Sequence, residues 1–293
     1  MSLGRRLFVV LAIALPVCLA GWSAWRWALR ADAGRAPGAA ASPSARVPLP
    51  ASAEPGGREE RDGPLRGRVV VIDPGHNPGN REHTREIARP VDVGTHRKEC
   101  DTTGTATGSG YAEAAFTLDV ARRARTLLEE RGAQVVFTHD GDRPYGPCVD
   151  ERAAIGNAAG AHAAVSVHAD GSAEGNRGFH VIVPARVAEG AADTTGITGP
   201  SRRLGEHLVD AFAGATGTRP ADYLGGEVAG TGLVTRGDLG GLNLSRVPKV
   251  FLECGNMRDA RDARRLADPA WRERAARGVA DGVTAFLRAA DGR

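Results

Sequence analysis

The chain has 293 residues, enough to bury the core of one large domain or of two small ones. Charged residues make up 25% of it, as in an average globular protein, which argues against disorder over the whole length. The formal net charge is only +3 and the basic residues are scattered, so the sequence lacks the basic stripe of a nucleic-acid-binding surface, and we expect no nucleic-acid partner.

The amino-terminal segment, residues 1–30, has the pattern of an export signal. Arg5 and Arg6 precede an apolar run from Leu7 to Trp25, whose length approaches the roughly 20 residues of a membrane span. We therefore expect an exported protein that acts at the extracytoplasmic face of the membrane, in the cell wall or after secretion. The pattern leaves open whether this segment is a cleaved signal peptide or a membrane anchor.

Residues 31–66 are rich in Ala, Pro, Ser and Gly and show no apolar periodicity. Such a segment cannot bury enough apolar surface to order itself, so we interpret it as a flexible linker. Strand-like and helix-like patterns begin at residue 67 and continue to residue 290, and we assign that range to one folded domain.

The folded range opens with four β-branched residues at 69–72, a run that predicts a buried parallel strand. Pro74 and Gly75 end the strand, because proline removes a hydrogen-bond donor and glycine permits a turn. His76 follows directly. Ligands of open α/β sheets bind at the carboxyl ends of the strands, so we interpret His76 as a metal ligand. Asp73 is interpreted as a turn carboxylate or as support for the ligands, not as a ligand itself.

Apolar and helical patterns alternate along the rest of the chain. Further strands are predicted at residues 133–138, 163–168, 178–184 and 247–254. Helices are predicted at residues 111–131, 151–161, 201–216 and 271–288. Long loops are predicted at 77–111 and at 217–246, the second being a candidate substrate loop. This alternation predicts an α/β fold, a single three-layer domain with a mostly parallel, twisted sheet flanked by helices.

Of the four cysteines, Cys18 lies in the amino-terminal segment, and the three in the folded range fall into two kinds. Cys100 lies in the first long loop and Cys148 in the loop after the second strand. In an exported protein these two are a natural disulfide pair, with two free surface thiols as the alternative. Cys254 lies within an apolar strand and is expected to be a buried free thiol. The absence of a CxxC pair from the sequence argues against a structural zinc site built from cysteines.

Residues with ligand or acid–base chemistry fall where strands end or a helix begins. They are His76, Glu113, His168 and Glu253. Two histidines and one glutamate are an established ligand set for zinc in hydrolases. Glu253 follows an apolar run, where a carboxylate is costly unless it is paired or bound to a metal. Taken singly, however, Glu113 is better explained as a carboxylate that suits the first turn of a helix, and His168 equally suits a strand end.

Four segments together resemble the zinc-dependent N-acetylmuramoyl-L-alanine amidases, a family of cell-wall hydrolases. The segments are VVVIDPGHNPG, a Glu that opens the first long helix, RAAIGNAAGAHAAVSVHAD and VPKVFLECGNM. They follow the family's order and span residues 68–287, which covers the whole predicted domain. The KECDTTGTAT loop and the cysteine pair resemble the actinobacterial members.

The resemblance implies a phosphorylase/hydrolase-like α/β fold, one Zn²⁺ ion per chain and peptidoglycan as the substrate. It implies hydrolysis of the amide bond between N-acetylmuramic acid and L-alanine. The site residues that it implies are the zinc ligands His76, Glu113 and His168 and the catalytic glutamate Glu253. Two positions depart from the family's common pattern, since Asp170 stands where Asn is common and Cys254 where Leu is common.

Other functions stay open at this point. One is a zinc peptidase that cuts within the peptidoglycan stem peptide, and another is a non-catalytic wall-binding module that has kept the fold. A plain exported structural domain is the third. Whichever function applies, we expect the protein to be a monomer that associates with the membrane only through its amino-terminal segment.

Overall fold

The apolar runs of the sequence form the centre of a sheet that contains six strands of the described chain. The computed structural model describes residues 63–291, so the predicted leader and most of the predicted linker, residues 1–62, lie outside the described residues. The strands are β1 (Val69–Pro74), β2 (Pro90–Asp92), β3 (Arg97–Glu99), β4 (Gln134–Phe137), β5 (Ala163–Asp170), β6 (His180–Pro184), β7 (Ala188–Glu189), β8 (Ala192–Asp193), β9 (Leu233–Arg236) and β10 (Lys249–Asn256).

The order of the main sheet is β4-β1-β5-β10-β6-β9. The first four of these strands are parallel to one another, whereas β6 pairs with β10 in the antiparallel sense and β9 follows the direction of β6. The mostly parallel sheet predicted from the sequence is therefore confirmed. The remaining strands form two small antiparallel pairs, β2 with β3 and β7 with β8.

The described helices cover both faces of the sheet. A short 3₁₀ helix (Pro78–Glu82) precedes α1 (Thr84–Ile87), α2 (Glu113–Glu130), α3 (Val149–Ala158), α4 (Thr198–Thr216), α5 (Gly226–Thr231), α6 (Gly240–Asn243), α7 (Ala260–Ala267) and α8 (Pro269–Asp291). Among these elements, none combines the length and the apolar character that a membrane crossing requires.

Successive side chains of each strand point to opposite faces of the sheet, so the two faces carry different residues. In β1, Val70 and Ile72 belong to the main hydrophobic core, which the long helices α2, α4 and α8 cover. Val71 faces the other way and packs beside Ala164 in a smaller cluster next to α3. Asp73 has the same parity as Val71. Polar groups at the ends of the central strands therefore share the face opposite the main core, and that face carries the site.

The packed domain begins earlier than the boundary predicted at residue 67. Leu65 is fully buried in the main core, and its backbone N–H donates to the carbonyl of Arg131 at 2.9 Å. Residues that the composition assigned to the linker thus belong to the folded unit. Composition did not reveal this, because Leu65 is a single apolar side chain within a polar segment.

Two predicted loops contain elements that the sequence pattern did not reveal. The stretch 217–246, predicted as loop throughout, contains α5, β9 and α6. Each has six residues or fewer, which is too short for a periodic pattern. The first long loop likewise contains α1 and the β2–β3 pair. Helix α7 was missed because it is rich in charged residues and buries only Asp262 and Leu266.

The disulfide between Cys100 and Cys148 is present, as predicted, and Cys254 is a buried free thiol. Cys148 directly precedes α3, so the disulfide attaches the first long loop to the start of that helix. The backbone N–H of Val149 also donates to the carbonyl of Cys100 at 2.8 Å. Because the loop returns towards the strand ends just after Cys100, this attachment fixes residues that approach His76.

Asp73 is the centre of a buried cluster of charges beneath the site. Its carboxylate accepts hydrogen bonds from Arg152 Nη1 at 2.7 Å, Thr138 Oγ1 at 2.7 Å, Ser166 Oγ at 2.8 Å and Lys249 Nζ at 3.1 Å. Burial alone would raise the pKa of Asp73, but the cations of Lys249 and Arg152 hold it well below its usual range. The carboxylate is therefore ionised and fully paired.

We predict that Asp73→Ala lowers the free energy of unfolding by about 3–5 kcal/mol, because it leaves two cations buried without their carboxylate. Urea unfolding followed by tryptophan fluorescence measures this. Asp222→Ala, at an exposed loop residue, is the matched control and should unfold close to wild type. Equal midpoints for the two variants would contradict the prediction.

Candidate metal centre and its cleft

The structure brings together all four site residues that the sequence singled out. His76 follows β1, His168 lies in β5, and Glu253 of β10 pairs directly opposite His168 in the sheet. Glu113 is the first residue of α2. The carboxyl ends of parallel strands meet at one edge, and the start of a helix faces that edge, which is why residues so distant in sequence converge.

The backbone of His76 adopts a left-handed conformation, with φ of 61°, that non-glycine residues seldom occupy. Its carbonyl accepts a hydrogen bond from Arg152 Nη2 at 3.0 Å. The ring nitrogen Nδ1 lies 3.1 Å from the carbonyl oxygen of Thr102 and 3.3 Å from Asp101 Oδ1. Both partners accept, so Nδ1 donates to them and the ring is oriented with Nε2 towards Glu113, the nitrogen that would serve as a metal ligand.

Three candidate ligand atoms converge at the strand ends, since one atom from each of His76, Glu113 and His168 lies within 4.8 Å of the other two. Glu113 Oε1 lies 3.2 Å from His76 Nε2 and 3.0 Å from His168 Nδ1. The other carboxylate oxygen, Oε2, accepts from the backbone N–H of Thr105 at 2.9 Å, which fixes the orientation of the carboxylate. Two imidazoles and one carboxylate in this arrangement fit a divalent transition metal.

Two glycines let the backbone approach these ligands closely. A Cβ atom on Gly104, whose φ is 71°, would lie 2.8 Å from both Glu113 Oε2 and His76 Cδ2. A Cβ atom on Gly75 would lie 2.4 Å from His168 Cε1. Any side chain at either glycine would displace a ligand, so the residue type there is set by the site.

The charges around the three ligands favour a bound cation. Burial alone would lower the pKa of His76, but Glu113 and Asp101 raise it to about 10. Burial would likewise raise the pKa of Glu113, yet the two histidines hold it below its usual range. The carboxylates of Glu113 and Asp101 therefore favour a positive charge beside them, and a bound metal ion would supply that charge.

Asp101 and Arg152 connect the ligands to the buried charge cluster. Arg152 Nη2 donates to Asp101 Oδ2 at 2.9 Å while Nη1 of the same guanidinium donates to Asp73. Burial alone would raise the pKa of Asp101, but Arg152 and His76 lower it to about 2. The sequence did not single out Asp101, although its position directly after Cys100 was a usable signal, because the disulfide fixes that part of the loop.

Glu253 lies in a cleft of about 310 Å³ beside the three ligands. Its lining includes Thr102, Gly104 and Thr105 of the first long loop together with Ile182, Arg236, Leu239 and Phe251. Burial is the main cause that raises the pKa of Glu253 well above its usual value, and the carboxylates of Glu113 and Asp170 raise it further. A carboxylate of this kind takes up a proton readily, as general acid–base chemistry requires.

The stretch 217–246 supplies residues in and beside this cleft that sequence reasoning missed. Tyr223 Oη donates to Asp170 Oδ2 at 2.5 Å, and Arg236 lines the cleft beside Glu253. No periodic pattern marks either side chain. The glycine-rich composition of the stretch indicated only a loop near a substrate.

His180 of β6 is directly opposite Glu253 in the antiparallel pair. Its side chain is buried and Nδ1 has no hydrogen-bond partner among the described residues. Burial lowers the pKa of His180 to about 4, with Asp170 opposing the shift and Arg236 adding to it. The ring is therefore neutral at physiological pH and acts as an uncharged wall behind Glu253.

The sequence model of a family described as N-acetylmuramoyl-L-alanine amidase matches residues 70–285. The N-acetylmuramoyl-L-alanine amidase Rv3717 of Mycobacterium tuberculosis is 37% identical over 224 residues, which cover 76% of this chain and 88% of that protein. The range that the family model matches contains all of the convergent residues described above.

Two solved amidase structures are also similar to this chain. The N-acetylmuramyl-L-alanine amidase Ami1 from Mycobacterium smegmatis superposes with a TM-score of 0.68 at 38% identity, covering 76% of this chain and 98% of that one. The apo form of Ami1 from Mycobacterium abscessus also has a TM-score of 0.68 at 38% identity, covering 75% of this chain and 99% of that one. The α/β fold is thus shared with these proteins.

We predict a pH-dependent contribution of His180 to stability. The unfolded chain binds a proton near the ordinary histidine pKa, whereas the folded chain binds it only near 4, so folding loses stability as pH falls between these values. The groups that face the ring are Tyr223, Asp170, Arg236 and, across the strand pair, Glu253.

The measurement is urea unfolding of wild type and of His180→Gln at two pH values. Relative to the variant, wild type should lose about 2 kcal/mol between about pH 7 and about pH 5. Parallel decline of the two proteins would show that His180 does not resist protonation.

Proposed function

The chain belongs to the N-acetylmuramoyl-L-alanine amidase family, and from that premise we propose that it is a zinc-dependent enzyme that hydrolyses the amide bond between N-acetylmuramic acid and L-alanine in peptidoglycan. The observation that supports this most strongly is the convergence of three ligand atoms within 4.8 Å, with Glu253 on the adjacent strand. Cell-wall turnover or remodelling is the process that such a reaction serves.

In this proposal His76, Glu113 and His168 hold one zinc ion per chain. The ion would supply Lewis-acid chemistry, polarising the substrate carbonyl and making a water molecule more acidic. Thr102 and Asp101 orient the His76 ring through Nδ1, and Thr105 orients the Glu113 carboxylate. Two histidines and a carboxylate leave room for water and substrate, as catalytic sites require.

Glu253 is the proposed general base and acid. Its carboxylate takes the proton of the attacking water and passes it to the nitrogen of the departing L-alanine, so that the amide bond breaks with an amine as the leaving group. The raised pKa of Glu253 suits both halves of this transfer. Phe251, which stacks on His168 with ring centroids 5.1 Å apart, keeps that ligand in place and excludes water from its face.

The proposal includes the arrangement of the whole chain. Residues 1–30 are the signal peptide or anchor, the linker begins at residue 31 and ends before Leu65, and the catalytic domain follows as described. An exported location fits the substrate, since peptidoglycan lies outside the membrane, and it fits the disulfide of the domain. The enzyme would act there as a monomer.

We predict that purified wild type binds one zinc ion per chain and that His76→Ala binds less than about a tenth as tightly. Loss of one of three ligands weakens binding because two remaining groups cannot complete the coordination shell. Elemental analysis and a chelator competition titration measure this. His207→Ala, at a helical histidine of α4, is the control and should keep the metal. Equal zinc affinity in both variants would contradict the ligand assignment.

We also predict that Glu253→Gln keeps zinc and loses at least about 100-fold in kcat, because glutamine cannot accept the water proton. The assay is release of stem peptides from purified peptidoglycan, together with zinc content. A variant that releases peptides at the wild-type rate would show that Glu253 has no part in proton transfer.

Mass spectrometry of the released fragments separates the proposed reaction from a zinc peptidase. An amidase frees peptides that begin with an intact L-alanine, whereas a peptidase leaves that residue on the glycan. A non-catalytic wall-binding module would bind peptidoglycan and release nothing. The presence of Glu253 beside the ligand set favours catalysis over that alternative.

A further inference from the structure

A second cavity, of about 430 Å³, lies next to the cleft that holds the ligands. The two share Gly104 and Thr105 as lining residues. The backbone of Gly104 lies close to Glu113 and His76, so a single segment of loop backbone separates the second cavity from the cleft. A substrate whose amide lies at the ligands can therefore reach this second cavity with its neighbouring residues, which extend roughly 3.5 Å each.

The cavity carries two guanidinium groups and no carboxylate. Within residues 63–291 its lining contains Arg81 and Arg258 but no Asp or Glu. Arg81 Nε donates a hydrogen bond to the carbonyl of Pro78 at 3.3 Å, and the two terminal nitrogens stay available for a ligand. The guanidinium of Arg258 makes no hydrogen bond or ion pair with the described residues. The backbone N–H of Arg258 donates to Asn256 Oδ1.

What distinguishes Arg81 and Arg258 is that both line one cavity beside the ligand cleft without a carboxylate in its lining, whereas several other arginines of the described surface are neutralised. Arg122, Arg143 and Arg202, for example, each pair with a carboxylate at 3.1 Å or less. Two unneutralised guanidinium groups that line one cavity create a local positive potential suited to an anion. Guanidinium groups bind carboxylates with particular strength, because two N–H donors match two oxygens.

The chemistry of the proposed substrate indicates which anion this is. The lactyl carboxyl of N-acetylmuramic acid is consumed in the amide to be cleaved, and the glycan strand has no other carboxylate near that bond. Carboxylates lie on the peptide side, on the second residue and at the peptide terminus. The positive cavity therefore marks the side of the cleft on which the stem peptide lies.

We propose that Arg81 and Arg258 form a subsite that binds a free carboxylate of the stem peptide during hydrolysis. This proposal depends on the proposed function for its substrate. It assigns a specificity role to two residues that touch neither the metal ligands nor Glu253. Amidation of the recognised carboxylate removes its charge and one acceptor, so the enzyme discriminates between carboxylate and carboxamide forms of the same muropeptide.

The test uses N-acetylmuramoyl tripeptides in four matched forms, with the second-residue carboxylate and the terminal carboxylate each free or amidated. Zinc-loaded wild type should cleave a form with the recognised carboxylate with about tenfold higher kcat/KM than the doubly amidated form, mainly through KM. Comparison of the two singly amidated forms identifies which carboxylate is bound.

In the double variant Arg81→Gln, Arg258→Gln this ratio should fall to near one. The matched control is Arg85→Gln, Arg261→Gln, which changes two exposed arginines close by in sequence and outside the lining, and it should keep the wild-type ratio. An unchanged ratio in the double variant, or a wild-type ratio of one, would overturn the subsite.

Calorimetric binding of the corresponding free tripeptides separates failure of the subsite from failure of the proposed function. If no muropeptide is cleaved at the lactyl amide, yet wild type binds the carboxylate peptide about tenfold more tightly than the amidated one and the double variant does not, the subsite stands and the reaction is wrong. If cleavage occurs but neither cleavage nor binding distinguishes the forms, the reaction stands and the subsite is wrong.

Discussion

The carboxylate of Asp73 is the constraint on which the site depends. It is buried at the end of β1 and holds Lys249 of β10 and Arg152 of α3 at the same time. Through Arg152 the same network reaches Asp101, whose other oxygen faces the ring of His76. Three elements that are distant in sequence are thereby joined under the ligands, and none of these ionic groups can move without leaving a buried charge unpaired.

This network explains why the ligand set stays in place although much of it lies on loops. His76 has a strained backbone, and its carbonyl is held by the same guanidinium that holds Asp73 and Asp101. The disulfide from Cys100 attaches the approaching loop to the start of α3, where Arg152 resides. Strain at a functional residue persists only where the surroundings fix it, and here both ionic and covalent constraints do so.

Much of the fold could be predicted from the sequence because its central strands are unbroken apolar runs. Strands β1, β5 and β10 have that pattern, and their carboxyl ends carry His76, His168 and Glu253. Short elements such as β9 gave no periodic signal. Pairings between distant charges, of which Asp101 with Arg152 is the clearest, depend on tertiary contacts that no spacing along the chain reveals. For the same reason the sequence did not reveal the cavity of Arg81 and Arg258.

The proposed chemistry requires above all that the three convergent side chains form a single zinc site. Diffraction from zinc-soaked crystals at the zinc absorption edge tests it directly. We expect one anomalous peak per chain, within about 2.0–2.2 Å of His76 Nε2, Glu113 Oε1 and His168 Nδ1. A peak elsewhere in the domain, with these three residues still hydrogen-bonded to one another, would contradict a single zinc site.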